Sequence, residues 1–468
     1  MPFVEHLIAR GMLVDPTPLN RPFKMADLAR ALDAVDTLRL GNGERRVVRT
    51  LRTELRPPGG EQGPWGRVDV HAGVAAASHA RRDQLRPAGP GHGTFDGGMA
   101  ITLQFGPVTA ATHPEFDTRL RYDPDYEGKK DRSIAGRSAE AYLDGQWRYG
   151  EVFFGSLDRN WGPSPVDGLL VSPNPYSYDH LAIAVGTTGV QLQGIITQLD
   201  DLPDSTGTPN HRYFIAHRLL LRPPGRWVVA LWEGNLVAGV GRELEPWYAN
   251  LLTLGLLTQY DQNSRTNSLL GVDVQRRFGR TTGFASLLLD DIQVDRKLAS
   301  DREPSSYGAT LGAEGGLGNM GWTAYYTRVA NLTYRTPNYA ETVMRRGVGL
   351  GRNFSDYDQL TVRGSVVLGP GLLLAPEATL LRQGEGDFRL PYPAVAAYAS
   401  TPGFLSGVVE RTVRLAAGAR WGSRTWSFSA DGGVHLVHNA GHVAGRSDTQ
   451  WVGTVGITYR IRWESPLP

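Results

Sequence analysis

The chain has no cysteine among its 468 residues, which excludes a disulfide framework, a thiolate nucleophile and a cysteine-ligated metal. It has no run approaching the ~20 apolar residues that a membrane helix requires, and its mean hydropathy is -0.29. Lysine is confined to Lys24, Lys129, Lys130 and Lys297, so nearly all positive charge is arginine. Acidic residues balance it to a net +2, which gives no bias towards nucleic acid. The opening Met1–His6 lacks the basic and apolar regions of a secretory signal, so any such signal has been trimmed from this numbering or Met1 is a misplaced start. Nucleophile-elbow, P-loop and zincin motifs are missing too, which leaves a lipase or protease reading without a signature.

What the chain does have is alternation. Val455, Ile457, Tyr459, Ile461 and Trp463 share one face of the last segment; Thr454, Gly456, Thr458, Arg460 and Arg462 share the other. Leu270, Val272 and Val274 alternate with Gly271, Asp273 and Gln275, and Leu360, Val362, Gly364, Val366 and Leu368 with Thr361, Arg363, Ser365 and Val367. The segments around Val413–Arg420 and Trp426–Val434 repeat the pattern. A packed core would not tolerate so many acids and arginines on one side. The pattern predicts an all-β antiparallel transmembrane barrel of about 18–20 strands, even in number, with an apolar belt outside and a watery interior.

Residues 1–56 differ. Val4, Leu7, Ile8 and Met12, then Met25, Leu28, Ala29, Leu32 and Val35, recur at helical spacing on either side of Pro16, Pro18 and Pro22. A basic stretch follows from Glu44 to Arg56. The expectation is two units: residues 1–60 as a periplasmic helical unit and 61–468 as the outer-membrane barrel. Gly279-Arg280, Leu317-Gly318-Asn319, Pro370-Gly371 and Gly422-Ser423 are tight turns. Between them lie long connections near 293–307, 333–356, 384–409 and 439–448, expected on the extracellular side. In the first half the phasing places the 200–210 and 234–250 segments on the periplasmic side, as unusually long turns or as helices.

His435, His438 and His442 are close in sequence. Positions three apart on a strand face opposite sides, so loop-tip polar residues are the reading preferred over a metal site, and no cofactor is expected.

The most distinctive segment runs from Leu157 to His180, with Arg159-Asn160-Trp161-Gly162-Pro163 followed by Gly168-Leu169-Leu170-Val171-Ser172 and Asn174-Pro175. With Arg21-Pro22 ahead of Met25–Leu32, with His217-Arg218-Leu219 ahead of Leu221-Arg222-Pro223, and with the C-terminal strand, it resembles the Wzi-type capsule-assembly outer-membrane proteins. The resemblance implies an 18-stranded barrel carrying an N-terminal periplasmic helical bundle, and a non-enzymatic role in holding exported polysaccharide at the cell surface. It points to Arg159, Trp161, His217 and Arg218 as polysaccharide-binding residues. Two other readings stay open: Trp161 as a packing or interfacial anchor, and His217-Arg218 as lumenal hydrogen-bonders that fix strand register.

Independently, Arg277, Arg363, Arg414, Arg420, Arg460 and Arg462 fall on polar strand faces. Guanidinium forks suit carboxylates, so Arg363 and Arg414 are candidates for an acidic polymer, unless they pair with acids such as Asp273 and Asp431. Tyr307, Tyr334, Tyr339, Tyr392 and Tyr398 sit on the proposed outer loops, and Tyr392 and Tyr398 are candidate sugar-stacking residues. The expected partners are surface polysaccharide, outer-membrane lipid and the polysaccharide export machinery, with no nucleic acid. The alternative is a porin or substrate-specific channel with an Arg-lined lumen.

Overall fold

The computed structural model describes residues 1–56, 63–173, 175–204, 206–291, 304–369 and 371–467. The domain boundary at 60/61, Asn174, Pro370 and most of the 293–307 connection lie outside them.

Alternation becomes strands β1 Trp65–Ala77, β2 His92–Phe105, β3 Val108–Asp117, β4 Ala135–Trp147, β5 Gly150–Ser156, β6 Asp179–Gly186, β7 Val190–Gln198, β8 Pro209–Leu221 and β9 Trp227–Val240. They continue as β10 Asn267–Phe278, β11 Thr281–Asp291, β12 Ser306–Leu317, β13 Met320–Val329, β14 Tyr357–Leu368, β15 Leu372–Gln383, β16 Glu410–Gly422, β17 Trp426–His438 and β18 Ser447–Pro466. Each pairs antiparallel with its chain neighbour, and β1 pairs with β18 from Trp65↔Pro466 to Ala77↔Thr454, which closes the ring. Closure leaves no strand edge, the condition for a sheet to cross lipid. Val455, Ile457, Tyr459, Ile461 and Trp463 are all exposed, as are Phe154 at 63% and Leu311 at 65%. These side chains belong to the lipid-facing belt of a transmembrane barrel. Phe105, Trp147, Tyr149, Phe278, Trp426 and Trp463 form an exposed aromatic rim at the end with tight turns.

Among the described residues every tight turn lies at that end, and every long connection at the other. The expected first-half phasing is corrected here: residues 199–208 and 241–266 both lie at the long-loop end, and 241–266 carries two short helices. The phasing slipped because β5 and β6 span only 7 and 8 residues and much of this wall is apolar on both faces.

Helices α1 Pro2–Ala9, α2 Met25–Asp33 and α3 Asn42–Leu55 pack around Val4, Leu7, Leu28, Leu32 and Val48. Met25, expected in the stripe, is instead exposed at the start of α2. The unit docks on the tight-turn end. His6 Nδ1 is 2.8 Å from Ser365 Oγ, Arg10 donates to the Gly318 carbonyl at 2.8 Å, and Arg277 donates to the Gly11 carbonyl at 3.0 Å. Glu44 joins the unit internally: its buried carboxylate accepts from His6 Nε2 at 3.1 Å, from Arg10, and from the Gly41 N–H at 2.8 Å. Burial alone would raise its pKa, but these donors outweigh it and hold the carboxyl at about 2. The folded pKa is depressed below the ordinary 4.5. The stabilisation is therefore complete above that value and is lost as pH falls towards the folded one. We expect protease protection of residues 1–56 at neutral pH to fade between pH 4.5 and 2, and to fade at neutral pH in Glu44→Ala. Protection of Glu44→Ala equal to wild type would contradict this.

Candidate functional site

Only part of the lumen is the watery space that alternation suggested. Segments from both ends fold into it and make an apolar core with the wall of β5 to β15. From the tight-turn end comes the strap between α1 and α2. Its Leu19 is fully buried, and Asn20-Arg21 pairs with Asn160-Trp161. Arg21 is fixed by Glu5 at 2.8 Å and Asp15 at 3.0 Å. The helices stay at the rim; only this strap enters. From the long-loop end come residues 157–178, with Leu169, Leu170 and Val171 buried, and 330–356, with Tyr334, Val343 and Leu350 buried. They are stitched together by Tyr334 Oη donating to the Leu169 carbonyl at 2.5 Å and the Ser172 N–H donating to the Leu350 carbonyl at 3.0 Å. Arg212 donates to the carbonyls of Ala340 and Thr342, both at 2.6 Å, which anchors 330–356 to β8.

Above this plug, five long connections converge on the lumen mouth, and their arginines lie on aromatic rings. The Arg82 guanidinium is 4.3 Å from the Tyr176 ring, and Arg137 is 4.9 Å from the same ring. Arg86 lies 4.3 Å from Phe354 and 4.6 Å from Tyr357, and donates to Gln383 Oε1 at 3.2 Å. Arg389 is 4.3 Å from Phe388. Arg81 pairs with Asp125 at 3.0 Å and Arg345 with Glu127. Burial raises both carboxyls above their ordinary value, against the pull of those arginines. Tyr176, Tyr357 and Phe388 are buried beneath these arginines, so the mouth presents forked donors braced by rings, which match hydroxyl and carboxylate groups, rather than open ring faces. The sequence reading missed Arg81, Arg82, Arg86 and Arg389. The run His79-Ala80-Arg81-Arg82-Asp83-Gln84-Leu85-Arg86 was the available signal.

The expected site residues are scattered relative to this mouth. Arg159 lies at the root of the 157–178 segment, donating Nε–H to His180 Nε2 at 2.6 Å and stacked 4.3 Å from Phe153. Trp161 is 4% exposed inside the core, a packing anchor with no free ring face. Arg218, 1% exposed, donates to the Leu19 carbonyl at 2.7 Å and lies 3.5 Å from Asp273, whose carboxylate also accepts from Trp232 Nε1 at 3.0 Å and Ser286 Oγ at 2.6 Å.

His217 corrects the lumenal reading: neighbours on a strand face opposite sides, and His217 points outward. It is only 7% exposed because the 241–266 connection folds over the outer wall. There α4 Pro246–Ala249 and α5 Gly255–Asp261 cover β8 and β9. His217 Nδ1 is 2.9 Å from Glu233, which accepts the Gly255 N–H at the α5 N-terminus at 2.9 Å. We expect Glu233→Ala to release this cover at a cost of about 2 kcal/mol, since His217 and the Gly255 N–H lose a buried partner. Limited proteolysis within 241–266 reads it; cleavage no faster than in wild type would contradict it.

The inward arginines are engaged by the protein itself. Arg363 binds Glu377 at 2.7 Å; Arg414 binds Glu377 at 3.3 Å, Asp431 at 2.5 Å and His435 at 2.9 Å. Arg460 and Arg462 meet Asp69. Tyr392 and Tyr398 pack edge to face at 6.3 Å, with Tyr398 buried and Tyr392 half-buried, so they do not offer the open faces expected. The three histidines diverge: His435 faces inward to Arg414, His438 outward to Ser447, and His442 Nδ1 lies 2.8 Å from the Val408 carbonyl.

No family model matches the chain, and no curated protein matches it in sequence. Its structure is similar to that of Wzi, an outer membrane protein involved in group 1 capsule assembly in Escherichia coli and a carbohydrate-binding β-barrel. The TM-score is 0.64 at 12% identity, over 99% of this chain and 97% of that one. The chain has the fold of an outer-membrane barrel. Two Pseudomonas aeruginosa structures match less well: OprD, with TM-score 0.46 at 10% identity over 85% of this chain and 95% of that one, and OpdK with vanillate, with 0.48 at 12% over 85% and 99%. At these identities the likeness is one of fold alone.

Proposed function

We propose that this protein sits in the outer membrane and holds an exported surface polysaccharide at its long-loop mouth without cleaving it. The long loops then face outside, and residues 1–56 form a periplasmic unit. The observation that carries the reading is the set of arginine-on-ring stacks over a plugged lumen: a surface that can grip a polymer above a barrel built to close. The fold shared with a carbohydrate-binding barrel supports it. Arg82, whose polar contacts are the Pro175 carbonyl at 3.5 Å and Glu115 at 3.9 Å, is the freest member of the set and would meet acidic groups on the polymer; Arg389 is held by Asp387 and Asn353. Cells expressing Arg82→Ala should release polymer into the medium while carrying as much folded barrel as wild type; retention unchanged in that strain would refute the site.

A channel is the second reading. It is favoured by the half-exposed inward side chains of Arg363, Asp431, Arg460 and Arg462 on β14 to β18, which leave that side of the lumen solvated. Below it, α3 lies across the tight-turn end, where Glu54 Oε1 is 3.2 Å from Arg460. Steady ion conductance by the intact protein in a planar bilayer would decide for the channel.

A further inference from the structure

On the lipid-facing wall, just at the long-loop rim, one row of side chains runs straight across five strands. The register pairs Arg328 on β13 with Asp358 on β14, Asp358 with Arg382 on β15, Arg382 with Arg411 on β16, and Arg411 with His438 on β17. Directly beneath, in the same register and on the same outer face, lie Tyr326, Leu360, Leu380, Val413 and Leu436. All five belong to the apolar belt, and all but Val413 are exposed. Cations therefore sit exactly one outward position above the hydrocarbon boundary, where lipid headgroups lie.

The row's single acid does not neutralise it. Asp358 is buried, with Arg382 Nε at 2.9 Å and the Tyr326 hydroxyl at 2.9 Å. Arg411 and His438 are exposed. Arg328 has no ion-pair partner among the described residues, and its buried Nε–H has no acceptor. Its guanidinium lies 3.7 Å from the Phe404 ring and 5.4 Å from the Tyr307 ring, in a cleft also lined by Tyr398. An unmatched guanidinium between two rings, opening on the headgroup level, is a receptor for a doubly accepting anion.

We propose that Arg328 in the Phe404–Tyr307 cleft binds one phosphate of an anionic glycolipid headgroup in the leaflet on the long-loop side, and that Arg411, three strands and about 14 Å along the rim, meets a second acidic group of the same headgroup. This would tie the polymer-holding mouth to the lipids around it. The inference rests on the long loops facing outward, but the binding measurement does not depend on orientation.

The test is native mass spectrometry of the detergent-solubilised full chain with phosphorylated lipid A and with its dephosphorylated form. The phosphorylated lipid should bind roughly tenfold more tightly, as expected for one charge-assisted phosphate contact. Arg328→Gln/Arg411→Gln should abolish that preference; Arg382 is left intact because it satisfies Asp358. Polymer binding at the mouth should be unchanged in the same variant, so loss of lipid preference and loss of polymer binding are separate results. Should the variant fail to fold, the preference of the wild-type chain and its weakening by salt remain a test. Equal binding of the two lipids, a preference that survives in the folded variant, or displacement of the lipid by an equal concentration of inorganic phosphate would overturn the proposal.

Discussion

Arg218→Ala should destabilise the barrel by about 3–5 kcal/mol, the cost of stranding one member of a buried ion pair. Asp273 would keep only the Trp232 and Ser286 donors, and the Leu19 carbonyl would lose its guanidinium, which loosens the strap that enters from the tight-turn end. Urea unfolding in detergent micelles reads the loss. Arg218→Met/Asp273→Asn should lose much less, because no charge is left unpaired. A loss below about 1 kcal/mol for Arg218→Ala would place this pair among weak surface bridges and contradict the packed interior.

The second large effect concerns the seam between the two inward segments. A Cβ at Gly351 would fall on the Leu169 carbonyl oxygen, backbone that cannot yield without parting 157–178 from 330–356. Gly351→Leu should therefore open the plug while the wall, held by its own ladder, stays folded. Its expected signature is conductance events in a planar bilayer where wild type shows almost none, together with lost polymer binding, since Tyr176 and Phe354 flank the seam. A variant as silent as wild type, with binding intact, would show that the seam does not close the lumen.

The wall was legible where its two faces differ. Along β18 from Thr454 to Trp463 every second residue changes from apolar to polar, and exposure follows the pattern residue by residue. It was illegible from β5 to β9. Phe153, Ala182, Ile195, Phe214 and Trp232 face the plug, so apolar side chains line both faces and the period of two disappears. Alternation reports that a strand has two environments; it does not say what fills the inner one. Nor could it reveal that α4 and α5 fold back over the outer wall, which is why His217 and Arg218 were read as one lumenal pair. The mouth was hidden for a related reason, because its rings and arginines come from four connections and from Arg137 and Tyr357 at strand ends, with no shared sequence pattern.

These packing details also change which experiments are informative. Deleting 384–409 would pull fully buried Phe388 from the core and strip Asp356 of the Gly386, Leu405 and Ser406 N–H groups at 2.6–2.9 Å. Reversing the charge of Arg414 would set it against Glu377 and Asp431. Either change could abolish polymer retention through misfolding alone, as could loss of Arg389, which holds Asp387, Asn353 and the Gly347 carbonyl, whereas Arg82, whose polar contacts are the Pro175 carbonyl at 3.5 Å and Glu115 at 3.9 Å, can be truncated at the surface.

Equilibrium binding of purified surface polysaccharide to the detergent-solubilised protein tests the central claim most directly. The account predicts saturable binding, roughly tenfold weaker in Arg82→Ala, as expected when a charge-assisted contact is lost. Binding should be unchanged in Arg424→Ala at the opposite, tight-turn end. Absence of saturable binding, or binding that ignores the mouth variant, would contradict it.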